Sequence, residues 1–290
     1  MEERVNELLT CTLRDGRRYA WAEYGDPEGL PLVFLHGTPG GRLTVAHHHE
    51  RYARQGLHVI CPDRPGYGAS DAAPGRRVSD VAGDLVDLLD VRGLGRVFVV
   101  GGSCGGPHAL AFAAAVPERV RAVGVLVGAA PFLAEEISQL VGVNQKVVAS
   151  LDRPDELRVQ VEQLRTGLLE QGLAGLLPDA PESDRAQWTR NADALRQTLA
   201  SALAPGTQGL FDDYRSVFGA PWGFDPADVK APVVWTHGRH DRNIPLTAAR
   251  RLADQLPDCR FITWTDIGHA PGPDLVADLY TAVLAAACRA

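Results

Sequence analysis

The segment Val97-Phe98-Val99-Val100-Gly101-Gly102-Ser103-Cys104-Gly105-Gly106 constrains this chain more than any other. A continuously apolar run enters a glycine-flanked turn and leaves into a helix-period stretch over residues 109–116. Such a run reads as a strand buried on both faces, as in a parallel sheet. A passage from strand to helix this short is a sharp turn that lifts one side chain above the sheet edge, with room only for small residues beside it. The helix that follows aims unpaired N–H groups and the positive end of its dipole at the turn, where negative charge can be stabilised. Two frames fit. Gly101-x-Ser103-x-Gly105 raises a hydroxyl, and Gly102-x-Cys104-x-Gly106 raises a thiol, which is a competent nucleophile if its pKa is lowered. Pro107 sits most easily early in a helix and so leans toward the cysteine frame. These residues alone leave both frames open.

Other short apolar runs at 31–35, 57–61, 122–127, 232–236 and 260–264 read as further buried strands. Residues 8–14 and 18–24 read as a hairpin with Asp15-Gly16 at its turn. Helix-period stretches lie between most of the strands, at 78–89, 108–116 and 246–256. The alternation predicts an open α/β sheet with right-handed connections. It stops between Pro131 and Gly223. There, helix patterns at 133–148, 156–171 and 186–202 are punctuated by Pro154, Pro178, Pro181 and Pro205. We therefore expect a core of residues 1–130 and 224–290, and a helical lid of residues 131–223 over the carboxyl edge of the sheet. A separate helical domain of purely structural purpose is the alternative.

The 290 residues, 45% hydrophobic and 22% charged, have ordinary globular composition, enough for one large α/β domain or two smaller ones. A net charge of -7 without a basic cluster argues against a nucleic-acid partner. No apolar run approaches the ~18 residues that span a bilayer, so no membrane partner is expected. The opening Met1-Glu2-Glu3-Arg4 is polar and lacks the pattern of a secretory signal. Cys11, Cys61, Cys104, Cys259 and Cys288 are scattered without C-x-x-C spacing, which predicts reduced thiols in a cytoplasmic protein.

Acid and base candidates lie past the helical stretch. The strand at 232–236 runs into His237-Gly238-Arg239-His240-Asp241, and an acid at a strand exit lies on the edge where α/β sheets bind ligands. The last strand, through Trp264, is followed by Asp266-Ile267-Gly268-His269. Asp266 competes with Asp241, but it lies on the approach to His269 rather than at a strand exit. The third strand ends in His36-Gly37-Thr38-Pro39-Gly40-Gly41, and the next in Asp63-Arg64-Pro65-Gly66-Tyr67-Gly68-Ala69-Ser70-Asp71.

Together these segments resemble the α/β-hydrolase superfamily. The matches are an H-G-x-P loop at 36–39, a D-x-P-G-x-G-x-S signature at 63–70, the elbow G-x-S-x-G-G-P-(aromatic or His)-A-L at 101–110, and a histidine after the last strand. The resemblance covers nearly the whole chain except the lid. It implies a mostly parallel eight-stranded sheet flanked by helices, with a helical lid insertion. It places the nucleophile at Ser103, followed in chain order by acid and histidine. His269 would accept the Ser103 proton, and Asp241 would hold the other ring nitrogen. Some hydrolases carry the acid after an earlier strand, but Gly128-Ala129-Ala130-Pro131 offers no carboxylate there. Backbone N–H groups of Thr38 and Cys104 would form an oxyanion hole supported by His36, Gly37 and Pro39. The 63–71 segment is expected to be a structural loop. No metal or organic cofactor is implied. His47-His48-His49-Glu50 is no metal site in this reading, because consecutive helical side chains diverge by about 100°. His240 reads as a surface or supporting residue, and Trp188, Trp222 and Phe211 as lid, hinge or ordinary packing.

The resemblance implies a small-molecule substrate, foremost a small, largely apolar ester, lactone or thioester. Serine at the elbow argues against haloalkane dehalogenases and epoxide hydrolases, which use aspartate there. A proline iminopeptidase-like aminopeptidase is the nearest rival, and it needs lid acids to hold an ammonium. Glu135 and Glu136 are the candidates, though they read first as solvated. A C–C bond hydrolase needs a similar triad. A ligand-binding protein on a hydrolase scaffold is the non-enzymatic alternative.

Overall fold

The computed structural model describes residues 6–288, so the polar opening residues 1–4 lie outside it. Eight strands form one sheet: β1 (Leu9–Thr12), β2 (Arg18–Gly25), β3 (Leu30–Leu35), β4 (Leu57–Pro62), β5 (Val97–Gly102), β6 (Val120–Leu126), β7 (Val233–Gly238) and β8 (Cys259–Trp264). Each falls on a segment expected from the sequence. Their spatial order is β1-β2-β4-β3-β5-β6-β7-β8. β2 runs antiparallel to both its neighbours, and the remaining pairs are parallel. Gly16, with φ of +90°, makes the hairpin turn between β1 and β2.

Helices α1 (His49–Arg54), α2 (Val81–Val91) and α3 (Gly105–Ala115) lie in the connections from β3 through β6. Between β6 and β7 come α4 (Ala134–Ile137), α5 (Gly142–Val148), α6 (Pro154–Leu176), α7 (Glu182–Arg190), α8 (Ala192–Ala202) and α9 (Gln208–Phe218). After β7 come α10 (Leu246–Ala253) and α11 (Pro273–Ala286). The period-2 alternation of strand side chains explains why helices cover both faces. Val97 and Val99 of β5 face one way, with Leu85 and Leu88 of α2, Leu110 and Phe112 of α3, and Leu252 of α10. Phe98 and Val100 face the other way, with Tyr52 of α1 and Leu279, Tyr280 and Val283 of α11.

The inserted helices have an apolar cluster of their own. Leu157, Val161, Leu164 and Leu168 of α6, spaced on one helical face, pack with Leu199 of α8 and with Leu210, Phe211 and Tyr214 of α9. Phe211 therefore serves packing, with the Arg158 guanidinium 4.0 Å above its ring. Several boundaries differ from expectation, each for a local reason. The stretch at 133–148 is two helices rather than one, because the Val141 N–H leaves the helical pattern to donate to Arg242 O at 2.8 Å. The stretch at 186–202 breaks at Asn191, whose side-chain amide donates to Gln187 O at 2.9 Å and closes α7. Helix α9 was not expected, and its two buried acids disguise its inner face. Trp222 packs into the main core and donates to Val217 O at 2.8 Å.

The cysteines at 11, 61, 104, 259 and 288 are all unpaired. Among the described residues no helix is long and apolar enough to cross a membrane.

Candidate active site

Strand β5 delivers Ser103 at a turn whose backbone has no slack. Its φ is +51°, the left-handed region that costs a non-glycine residue roughly 1–3 kcal/mol. Neighbouring strands hold it there. Ser103 N donates to Leu126 O, and Ser103 O accepts from Gly106 N and Ala129 N, all at 2.9 Å. The flanking glycines are required by contact. A Cβ at Gly101 would lie 2.2 Å from Gly105 O, and one at Gly105 would lie 2.0 Å from Leu35 O.

Two loops from the far side of the sheet converge on this turn. His269, past the end of β8, brings Nε2 to 3.0 Å from Ser103 Oγ and Nδ1 to 2.7 Å from Asp241 Oδ2. Asp241, past the end of β7, accepts at Oδ1 from the backbone of Asn243 and Ile244, each at 2.8 Å. Asp266 is exposed and takes the Thr265 hydroxyl instead. His237 escaped the sequence reading. It is fully buried, donates from Nε2 to Ile244 O at 2.9 Å, and comes within 3.3 Å of Asp241 Oδ2. Its place four residues before Asp241, at a strand end, was the available signal. His240 is exposed.

These contacts set the charges. Burial by itself would raise the Asp241 carboxyl, but the nearby His269 and the hydrogen bonds from His237 and His269 outweigh it and hold it well below the ordinary carboxylate range. Burial by itself would lower His269; the charge and hydrogen bond of Asp241, with Asp184 adding to them, leave it raised above its ordinary value. The geometry also separates the two frames of the elbow. His269 reaches the hydroxyl of Ser103, whereas burial, helped by the Asp213 charge, pushes the Cys104 thiol up to about 12. A thiol held protonated is a poor nucleophile.

The loop at 36–41 lies against Ser103. A Cβ at Gly37 would be 3.1 Å from Ser103 Cβ. Thr38, Pro39 and Cys104 line the same cavity as Ser103. His36 supports the loop from behind, with Nδ1 donating to Gly37 O at 2.7 Å and Nε2 accepting from Arg64 N at 3.0 Å. Burial and then the Arg64 charge push His36 well below its ordinary pKa, so it stays neutral. Arg64 and Asp213 have no exposed surface. Asp213, on α9, is an unpredicted centre. It pairs with Arg64, accepts the Thr38 hydroxyl, and takes the Tyr67 hydroxyl at 2.8 Å and Arg76 Nη2 at 2.6 Å. Burial would raise this carboxyl, but Arg64 and Arg76 hold it well below the ordinary range.

Above Ser103 is a cavity of about 270 Å³. Its floor includes Phe34, Leu126 and Ile244, and its walls Leu164, Leu168, Leu176, Trp188 and Phe218 from the inserted helices. Among the described residues lining it, none is Asp, Glu, Lys or Arg. Glu135 is exposed. Glu136 is buried away from the cavity, accepting from Arg251 at 2.8 Å and from Thr247 at 2.9 Å. The histidine run diverges only in part: the His47 and His48 rings lie side by side, centroids 3.9 Å apart and tilted by 43°, while His49 turns away and its Nδ1 accepts from Gly25 N at 3.1 Å. Among the described residues no three His, Cys, Asp or Glu side chains are grouped so as to hold a metal ion.

Comparison with known proteins bears on this arrangement. The alpha/beta hydrolase fold family profile matches residues 31–273. A 2-hydroxy-6-oxononadienedioate/2-hydroxy-6-oxononatrienedioate hydrolase of Burkholderia vietnamiensis is 29% identical over 243 residues, covering 82% of this chain and 80% of that protein. A 2-hydroxy-6-oxo-6-phenylhexa-2,4-dienoate hydrolase of Burkholderia cepacia is 26% identical over 253 residues, covering 83% and 82%. A solved hydrolase from Pseudomonas aeruginosa superposes with a TM-score of 0.73 at 18% identity, covering 98% of this chain and 99% of that one.

Proposed function

The chain belongs to the alpha/beta hydrolase fold family and is a hydrolase, and from that premise we propose that it cleaves a small, largely apolar carboxylic ester, lactone or thioester through an acyl-enzyme on Ser103. One observation carries the reading: His269 lies 3.0 Å from Ser103 Oγ and 2.7 Å from Asp241, beneath a cavity without charged walls. Ser103 Oγ attacks the acyl carbon while His269 Nε2 takes its proton. Asp241 holds Nδ1–H and stabilises the imidazolium. Charge on the tetrahedral oxygen is met by the N–H groups of Thr38 and Cys104 and by the start of α3. His269 then protonates the leaving group, and a water activated by the same nitrogen releases the acid. In this reading residues 1–130 and 224–290 are the catalytic core, and residues 131–223 are a lid that shapes the acyl pocket. The substrate is a small molecule, and no cofactor takes part.

The cavity lining supports a ranking of the rivals. An aminopeptidase needs a carboxylate for the substrate ammonium, and Glu135 and Glu136 both lie away from the cavity. C–C bond hydrolysis is the second reading, favoured by the two sequence relatives, because a 2-hydroxy-6-oxo-dienoate has no ester to cleave. A dicarboxylate would meet no Lys or Arg in this lining, which ranks an uncharged acyl compound ahead of it.

Labelling with a fluorophosphonate, mapped by mass spectrometry, tests the nucleophile, with the label expected on Ser103. Turnover of p-nitrophenyl butyrate should exceed that of proline p-nitroanilide and of a 2-hydroxy-6-oxo-dienoate. Label on Cys104, or faster cleavage of either alternative substrate, overturns the assignment concerned.

A further inference from the structure

Asp184 of α7 is fully buried, and the proposed chemistry makes no use of it. It does not line the cavity, so it is not placed to bind substrate. Its oxygens face the loop that carries His269. Oδ2 accepts from His269 N at 2.8 Å, and Oδ1 accepts from Ala270 N at 3.0 Å. The loop is shaped to receive it. A Cβ at Gly268 would lie 2.4 Å from Asp184 Oδ2, so only glycine lets the carboxylate settle over this backbone. Beneath, a Cβ at Gly238 would lie 2.0 Å from Gly268 O, so the end of β7 presses on the same peptide from the other side. A carboxylate that takes two backbone N–H groups in a buried place is a strong, directional hold, and removing it leaves those donors unpaired.

We propose that Asp184 is a positioning residue for His269: the helical insertion reaches down through this one carboxylate, fixes the backbone of residues 268–270, and thereby sets where the imidazole stands relative to Ser103. The proposal rests on the reading of His269 as the base. Its physical content is that α7 and the His269 loop move as one body. Displacing α7 would withdraw the base as well as open the cavity.

The groups facing the imidazole are Asp241 from the loop after β7, Ser103 from the elbow, and Asp184 from α7, whose charge also adds to the rise of the His269 pKa. Asp184→Asn keeps the shape, but it offers an N–H₂ to one of two N–H donors and removes the charge. Expected are a kcat lower by about 10²-fold, the scale of a 1 Å misplacement, and a KM nearly unchanged. The acid limb of kcat/KM should also move to lower pH, because losing a nearby negative charge disfavours the imidazolium. Glu182→Gln, an exposed neighbour on the same helix, should change none of these. A variant that loses thermal stability but keeps the kcat and acid limb of wild type makes Asp184 merely structural and overturns the proposal.

Amide hydrogen exchange on the wild-type protein, followed residue by residue, decides the matter even if the variant fails to fold. The His269 and Ala270 amides should be protected and should open together with the amides of α7. Fast exchange at 269 and 270 while α7 stays protected overturns the proposal. If the wild type cleaves no ester, the reading of the chemistry falls, and exchange still decides whether Asp184 holds the loop.

Discussion

The sheet and the inserted helices are held by different forces. β5 is buried along its whole length between two apolar layers, and beyond the backbone ladder to β3 and β6 no polar side-chain contact is needed to keep it there. The insertion also has an apolar interior, but where it meets the core buried carboxylates add directional ties, and two of these reach the loops beside Ser103. Asp213 meets Arg64, 149 residues away, and Asp184 meets the backbone of His269, 85 residues away. Apolar packing tolerates exchanges of similar volume. A buried ion pair that loses one partner does not tolerate the loss. The proposed reacting groups thus stand on the core, and the insertion supplies walls of the cavity and the polar ties to the two loops beside Ser103.

The largest effect should come from the sheet's edge. Ser103→Ala should lower kcat by about 10⁶-fold, and Asp241→Asn by about 10⁴-fold, in steady-state assays of an ester. Both folds should be intact by circular dichroism, because the strands beneath do not depend on these side chains. Cys104→Ala should be mild. With His269 as the proposed base, which must be neutral to act, kcat/KM should rise with pH through a His269 pKa raised above the ordinary value of about 6.5. In any residual activity of Asp241→Asn that limb should move to lower pH. Comparable turnover in Ser103→Ala would break the division of labour at its root.

Next in size is the ionic seam. Asp213→Ala leaves Arg64 buried without a carboxylate partner and Arg76 with Asp212 alone, and should cost about 3–5 kcal/mol, measured by denaturant unfolding. Because the Asp213 carboxyl is held below its unfolded value near 3.9, its contribution is fully present above that pH. It is lost as pH falls through the lower folded value. Amides of α6 to α9 should lose protection in this variant before those of β5 and β6. A wild-type unfolding midpoint would mean that apolar packing, not charge, secures the insertion.

The same contrast explains what could be read in advance. Every strand was legible because its signal is local: a run such as Val97-Phe98-Val99-Val100 carries its own evidence of burial on both faces. The places of the elbow, the H-G-x-P loop, Asp241 and His269 were legible because each follows a strand end in chain order, whereas the choice of Ser103 over Cys104 came from the family resemblance. Asp184 and Asp213 were not. In sequence each is one more acid on a polar helix, and only the distant arginines and backbone amides that receive them make them central. The break at Val141 has the same origin, since its N–H is claimed by Arg242, far along the chain. Helical periodicity marks where a helix tends to form, and a long-range polar contact can still end it.

The smallest effect separates the two regions by one methylene. Leu164, in the insertion, lines the cavity, whereas Leu32, in β3, is buried in the sheet and does not. Leu164→Val removes one carbon from the cavity wall. An acyl chain longer by one CH₂ should then gain about 0.8 kcal/mol of burial, roughly fourfold in kcat/KM relative to the shorter ester. Leu32→Val should instead cost about 1 kcal/mol of stability and leave the chain-length preference where it was. An ester series run on both variants reads the difference directly. If Leu32→Val shifts the preferred chain length as far as Leu164→Val does, the packing behind the floor residues Phe34 and Leu126 sets specificity as much as the insertion does.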